Sequence, residues 1–257
     1  MMCFSKWIHA TLANVMSASN ARLMSKKPVL LGLTLLVLVI GPSSASSADF
    51  WVTFAKNCLK DACGAGMGSI VGPVGALCGG CAATLSITVA PPPDNTGSSV
   101  TSNPKNSLDW VGAKHNELVR DYLKENKSFN IKTFYQFTER NKQRYRIDTM
   151  PSIEEVTKAV EGSGDKNASV EDLLKHIDNQ FKTAGIKQDI VGRLRPFFVL
   201  PKLPGPTFPE WEASILQIEN DALQAKDLNK QQVQHLSAFF AVLRNSGGLW
   251  FDSAPAK

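Results

Sequence analysis

Residues 58–81 read CLKDACGAGMGSIVGPVGALCGGC, and this stretch governs how the whole chain is interpreted. Gly64, Gly68 and Gly72 form a GxxxGxxxG run, and Gly75 and Gly79 form a second GxxxG. Residues four apart share one face of a helix. Glycines at those positions remove side chains and let two backbones approach closely. In water each costs a helix about 0.5–1 kcal/mol relative to alanine, so such a helix needs packing or lipid to compensate. Residues 62–93 carry no charge. Pro73 interrupts the run and predicts two short arms, roughly 52–71 and 74–90. The first arm starts amphipathically, with Phe50, Phe54 and Cys58 in register beside Trp51. Three readings are open for this module (residues 49–90): insertion of 64–90 into a bilayer, a compact hairpin packed on the protein or a partner, or a flexible apolar linker. In the first two, Gly64, Gly68, Gly72, Gly75 and Gly79 are the contact to membrane or partner.

Cys58, Cys63, Cys78 and Cys81 bracket the glycines. Four cysteines in an exported chain predict two disulfides. A helical hairpin favours the nested set, Cys58–Cys81 with Cys63–Cys78. A four-thiolate zinc site is the rival. Its C-x2-C half fits, but C-x4-C is loose, and no metal or cofactor is expected.

Export is read from the N-terminus. Residues 29–40, VLLGLTLLVLVI, follow Lys26 and Lys27 and precede Gly41-Pro42. Twelve apolar residues in a helix span about 18 Å at ~1.5 Å each, too short for a hydrocarbon core of about 30 Å but suited to a signal peptide. Cleavage is expected after Ala48, with Ala45 as second choice, and Met24 gives the better-proportioned start. Residues 1–48 therefore read as leader and signal peptide, and the product as periplasmic or secreted. The leader also explains the formal charge of +5. It holds Lys6, Arg22, Lys26 and Lys27 and no acid, which leaves the remainder nearly neutral. A global nucleic-acid-binding field is not supported.

Residues 91–106, PPPDNTGSSVTSNPKN, form a Pro/Ser-rich linker. From 107 to 251 the apolar period is helical, and 252–257 read as a tail. Leu108, Val111, His115, Leu118 and Tyr122 make one stripe, capped by Ser107 or Asp109. Ile131, Phe134 and Tyr135 open a second helix. Ser152-x-x-Glu155 and Ser169-x-x-Asp172 are capping boxes. Thr207 caps a helix carrying Trp211, Ile215 and Ile218. Asn229 caps the last, which is expected to stop at Gly247-Gly248. No alternating strand is apparent. The fold class is all-α, with six or seven helices in this domain.

Candidate chemistry is sparse. His115 beside Asn116 and Glu117 could act as a general base in an envelope hydrolase. Against this, His115 lies on the apolar stripe, and no second histidine stands four residues away, as a HExxH metal site requires. Nucleophile elbows, P-loops and dinucleotide fingerprints are absent. Arg140, Lys142, Arg144 and Arg146, interleaved with aromatics, form a basic patch that could meet anionic lipid or serve as a solvated helix face.

The stretch Asp109–Glu117, DWVGAKHNE, resembles a D-x-[VI]-G-x-x-H-N helix start found in a group of uncharacterised exported bacterial proteins. That resemblance implies an architecture with two C-terminal helices, here 211–228 and 229–250, and no reaction. The glycine-rich segment resembles the glycine-zipper stretches of bacteriocin-like, membrane-active proteins. Together these readings predict an exported, non-enzymatic helical protein whose glycine module associates with a membrane or a protein partner.

Overall fold

The apolar periodicity resolves into nine α-helices in the computed structural model, which describes residues 43–87, 99–199 and 206–251. They are α1 (Ser43–Gly68), α2 (Pro73–Ile87), α3 (Asp109–Glu125), α4 (Ile131–Arg140), α5 (Ile153–Glu161), α6 (Val170–Thr183), α7 (Ile190–Leu194), α8 (Phe208–Leu223) and α9 (Lys230–Phe251). Single 3-10 turns come after α1 (Ser69–Val71) and α7 (Arg195–Phe197). No strand occurs among the described residues. The all-α class therefore holds. The expected leader before residue 43 and the tail 252–257 lie outside the described residues, as do Thr88–Ala90 and the first half of the linker. The chain divides into residues 1–44 and a unit of residues 45–257. The second unit holds the body of α1 and every helix after it.

Helix ends obey local chemistry. Ser152 and Ser169 close reciprocal capping boxes with Glu155 and Asp172. Thr207 N–H donates to the Glu210 carboxylate at 2.8 Å. The Asn229 side chain accepts from Gln232 N at 2.9 Å, and Asn229 N donates in return to the Gln232 side chain at 2.8 Å. Asn130 caps α4 by accepting from Lys132 N and Thr133 N. Two expectations change. Neither Ser107 nor Asp109 caps α3: Leu108 occupies the cap position without a side-chain bond, and Asp109 falls in the first turn. The last helix also runs through Gly247-Gly248 to Phe251. Gly247 is there for close approach, since a Cβ on it would lie 2.2 Å from Trp211 Cζ3 on α8.

The glycine-rich segment belongs to the same unit as the rest of the described chain. α1 and α2 run antiparallel, and their seam is built of glycine. A Cβ on Gly64 would meet Gly79 O at 2.5 Å, and one on Gly68 would meet Gly75 O at 2.0 Å. Gly72 is the turn and not part of the seam: its φ of 105° lies where side chains are strained. Pro73 starts α2 in the first-turn position, where its missing N–H costs nothing. Every residue of α2 from Gly75 to Leu85 is buried. A helix apolar on all sides must be enclosed; α3, α5 and α9 enclose this one. α9 is buried without a break from His235 to Trp250. α2 and α9 are thus the two central rods of the bundle. Phe54 on α1 meets Trp211 on α8 edge-on at 5.2 Å between ring centroids.

Candidate functional site

The stretch Asp109–Asn116 docks α3 into the centre of the bundle. Its residues at helical spacing each meet a neighbour. Asp109 pairs with Arg244 of α9 and accepts from Ser102 Oγ at 3.0 Å and Asn103 N at 3.1 Å. A Cβ on Gly112 would lie 2.1 Å from Ala241 O, so only glycine lets α9 cross there. His115 faces α1 and α2, and Asn116 donates from Nδ2 to Asn245 O at 2.7 Å. The D-x-V-G-x-x-H-N pattern is a helix-docking surface in this chain.

His115 is sealed, with no exposed surface. The Asn245 bond orients the Asn116 amide so that Oδ1 lies 3.0 Å from His115 Nδ1, which places the proton on Nδ1. Nε2 lies 2.9 Å from Thr84 Oγ1 of α2 and 4.0 Å from Asp61 Oδ2 of α1. Asp61 Oδ2 accepts from Ser246 Oγ at 2.7 Å and from Trp250 Nε1 at 3.0 Å. Burial pushes the His115 pKa below its ordinary value, against the pull of Asp61. Burial raises that of Asp61, opposed by His115 and by hydrogen bonds from Trp250 and Ser246. The arrangement is a polar knot tying α1, α2, α3 and α9 together. Asp61, Thr84, Ser246 and Trp250 carried no sequence signal for it, because the partners they meet lie 31 to 189 residues away. Neither the groove beside Glu171 and Arg195 nor the cavity beside Met67 and His235 touches the knot.

Glu117 does not join His115. It lies on the outer side of α3, where partial burial pushes its carboxyl up but Lys114 Nζ at 2.5 Å and Arg144 Nε at 3.1 Å together outweigh this and hold it below the usual range. The expected His115, Asn116, Glu117 constellation is therefore split between core and surface.

The two expected disulfides are not formed: Cys58, Cys63, Cys78 and Cys81 are buried free thiols. The seam explains this. Glycines occupy the facing positions, so the cysteines turn to other neighbours. Cys81 Sγ, for example, reaches the His115 carbonyl at 3.6 Å. Burial pushes the thiols up, Cys78 to about 12. Among the described residues no group of three or more His, Cys, Asp or Glu could hold a metal. The glycines Gly64, Gly68, Gly75 and Gly79 meet one another rather than an outside surface.

The basic patch is largely neutralised within the chain. Arg140 stands 3.9 Å from Glu125, Lys142 2.6 Å from Glu139, and Arg144 2.7 Å from Asp121. Arg146 occupies the left-handed region, with φ of 57°.

A second, larger charged cluster went unread in the sequence. Arg244 has no exposed surface; its Nε is 2.7 Å from Glu219 Oε2, and the guanidinium also reaches Asp109 and the Thr101 carbonyl. Asn106 Nδ2 donates to Glu219 Oε1 at 2.5 Å and to Ser237 O at 2.8 Å. Thr101 N donates to Glu212 Oε1 at 2.5 Å. These bonds fasten residues 101–106 onto α8 and α9.

No protein-family model, curated protein or solved structure matches this chain.

Proposed function

We propose that this is an exported, non-enzymatic helical protein that acts by binding, with the tip of its glycine hairpin as the end that meets a membrane surface or a partner. The observation that carries the reading is the placement of its exposed apolar side chains. Among the described residues the large ones are Val52, Ile70 and Val71, all on the hairpin and two of them side by side at its tip. Ile70 is 59% exposed and Val71 44%. The flanking residues 62–93 bring no charge to repel an apolar surface. The leader supports export, and the nearly neutral mature composition argues against nucleic acid as the partner.

A deeper mode, in which the hairpin leaves the bundle and inserts, runs against the lengths of its helices. No helix among the described residues is long and apolar enough to cross a membrane. The 15 residues of α2 reach about 22 Å at ~1.5 Å each, short of the roughly 30 Å core. A hydrolase working through His115 gains nothing from the geometry, because Nε2 is engaged with Thr84 inside the bundle.

Flotation of the mature chain with phosphatidylethanolamine/phosphatidylglycerol vesicles tests the membrane form. The wild type is expected in the vesicle fraction and the double variant Ile70→Ser, Val71→Ser in the protein fraction. Equal partitioning of the two removes the tip as a membrane contact.

A further inference from the structure

The hairpin tip carries a knob and a hole side by side. The knob is Ile70 and Val71, 59% and 44% exposed, at the turn between α1 and α2. The hole is an open cavity of about 500 Å³ between the tip, α6 and α9, whose lining includes Met67, Ile70, Thr183 and Gln231. Ile70 belongs to both. No Asp, Glu, Lys or Arg lines the cavity. Whatever fills it must be uncharged there too, because a charge moved in from water would lose its hydration without gaining a counterion. The tip meets that requirement, since residues 62–87 carry no charge. The rim of the cavity is made of side chains that both donate and accept: Asn179, Thr183 and Gln231 are exposed on it. A rim of that kind is complementary to its own copy. Against acyl chains it would lose its hydrogen bonds to water without replacement.

From this arrangement we infer that the partner met by the hairpin tip is a second copy of the chain, each copy seating Ile70 and Val71 in the other's cavity. The inference rests on the tip as the contact end and names what it contacts. A two-fold axis demands that one patch be complementary to itself, so that each contact is made twice. A knob and a hole adjacent on one surface, with a shared residue, satisfy this: an axis passing between them brings each knob over the other copy's hole. Like-charge repulsion, which opposes self-association, is absent because neither half carries charge. The patch is small. Twelve residues line the cavity, against ~20–30 a side for a standard stable interface. The dimer is therefore weak, with a Kd on the order of 10–100 μM.

Analytical ultracentrifugation of the mature chain from about 1 μM to about 1 mM reads its mass across that range. The wild type is expected to pass from monomer to dimer. Two variants address the two halves. Val71→Asp puts a charge on the knob, and Thr183→Lys puts one in the hole. Each alone should weaken self-association at least tenfold. Mixed in equal amounts, the two variants should associate again. The unaltered knob of one then enters the unaltered hole of the other, and the new charges, opposite in sign, meet at the remaining contact. Val71→Asn and Asn179→Lys stand in where a variant does not melt as the wild type does. A wild type that stays monomeric up to about 1 mM overturns the inference. If that monomer still floats with vesicles through Ile70 and Val71, the tip reading survives with lipid as its target. A dimer that either variant leaves intact, or variants that stay apart when mixed, overturns the inference as well.

Discussion

Replacing Gly68 by alanine gives the glycine seam its sharpest test, because two physical effects oppose each other in sign. Alanine is the better helix former by about 1 kcal/mol, so on an exposed or loosely tethered arm Gly68→Ala would stabilise. In the packed hairpin the new methyl would stand 2.0 Å from Gly75 O and 2.6 Å from Gly75 C. Both are backbone atoms and cannot swing aside. Reaching ordinary contact at 3.4 Å moves the two helices apart by about 1.4 Å at that point. A gap of 0.5–1 Å already forfeits a quarter to a half of a dispersion contact, and overpacking in a core typically costs ~1–3 kcal/mol. Because backbone is displaced, the cost falls at the top of that range or above it. The net expectation is a loss of about 2 kcal/mol or more. In a unit of this size that lowers Tm by roughly 4–8 °C. Urea unfolding monitored by circular dichroism, with a thermal melt beside it, reads both numbers. A midpoint equal to or above the wild type would refute the seam.

Two further outcomes rest on the buried charges. Arg244→Met leaves the buried Glu219 and the partly buried Asp109 without their cation. Breaking a buried pair costs ~3–5 kcal/mol, so the denaturation midpoint should fall sharply, whereas Arg140→Ala on the exposed Glu125 pair should shift it by less than ~1 kcal/mol. His235 sets a pH dependence. Its native pKa is lowered to about 4 while the unfolded value stays near 6.5, so below pH 6.5 the unfolded state binds the extra proton and stability drops until about pH 4. That difference amounts to roughly 3 kcal/mol. Denaturation at pH 7 and pH 4 should show His235→Phe losing less stability than wild type by about that amount. His115 acts in the same direction and Asp61 in the opposite one, which is why the variant comparison is needed and not the wild-type slope alone.

Much of the fold was legible in the residues. The stripe Val111, His115, Leu118, Tyr122 is buried as its spacing required, and the caps at Ser152, Ser169, Thr207 and Asn229 stand where the side chains placed them. What escaped was long-range. GxxxG spacing says that two backbones meet but not which two, and here α1 meets α2 inside the bundle. Gly72 and Gly247 look alike in the sequence, yet one is a turn and the other admits a tryptophan ring. An even cysteine count suggested bridges, but the thiols sit off the seam. Arg244 was visible as a lone charge in the apolar run AVLRNSGGLW, a hint of burial, but its partners Asp109 and Glu219 are 135 and 25 residues away. Asp61 carried no comparable hint, since it reads as the last charge of an ordinary amphipathic turn.

Alkylation of the mature chain by iodoacetamide without reductant, read by mass spectrometry before and after guanidinium unfolding, probes the sheltered hairpin most directly. Cys58, Cys63, Cys78 and Cys81 are buried and their thiols are pushed up, so the native protein should take no label at any of them. After unfolding, all four should be labelled. Native labelling at Cys78 or Cys81 would place α2 in water, and failure to label after unfolding would show sulfur bridges; either result contradicts a hairpin held in the core by its glycine seam.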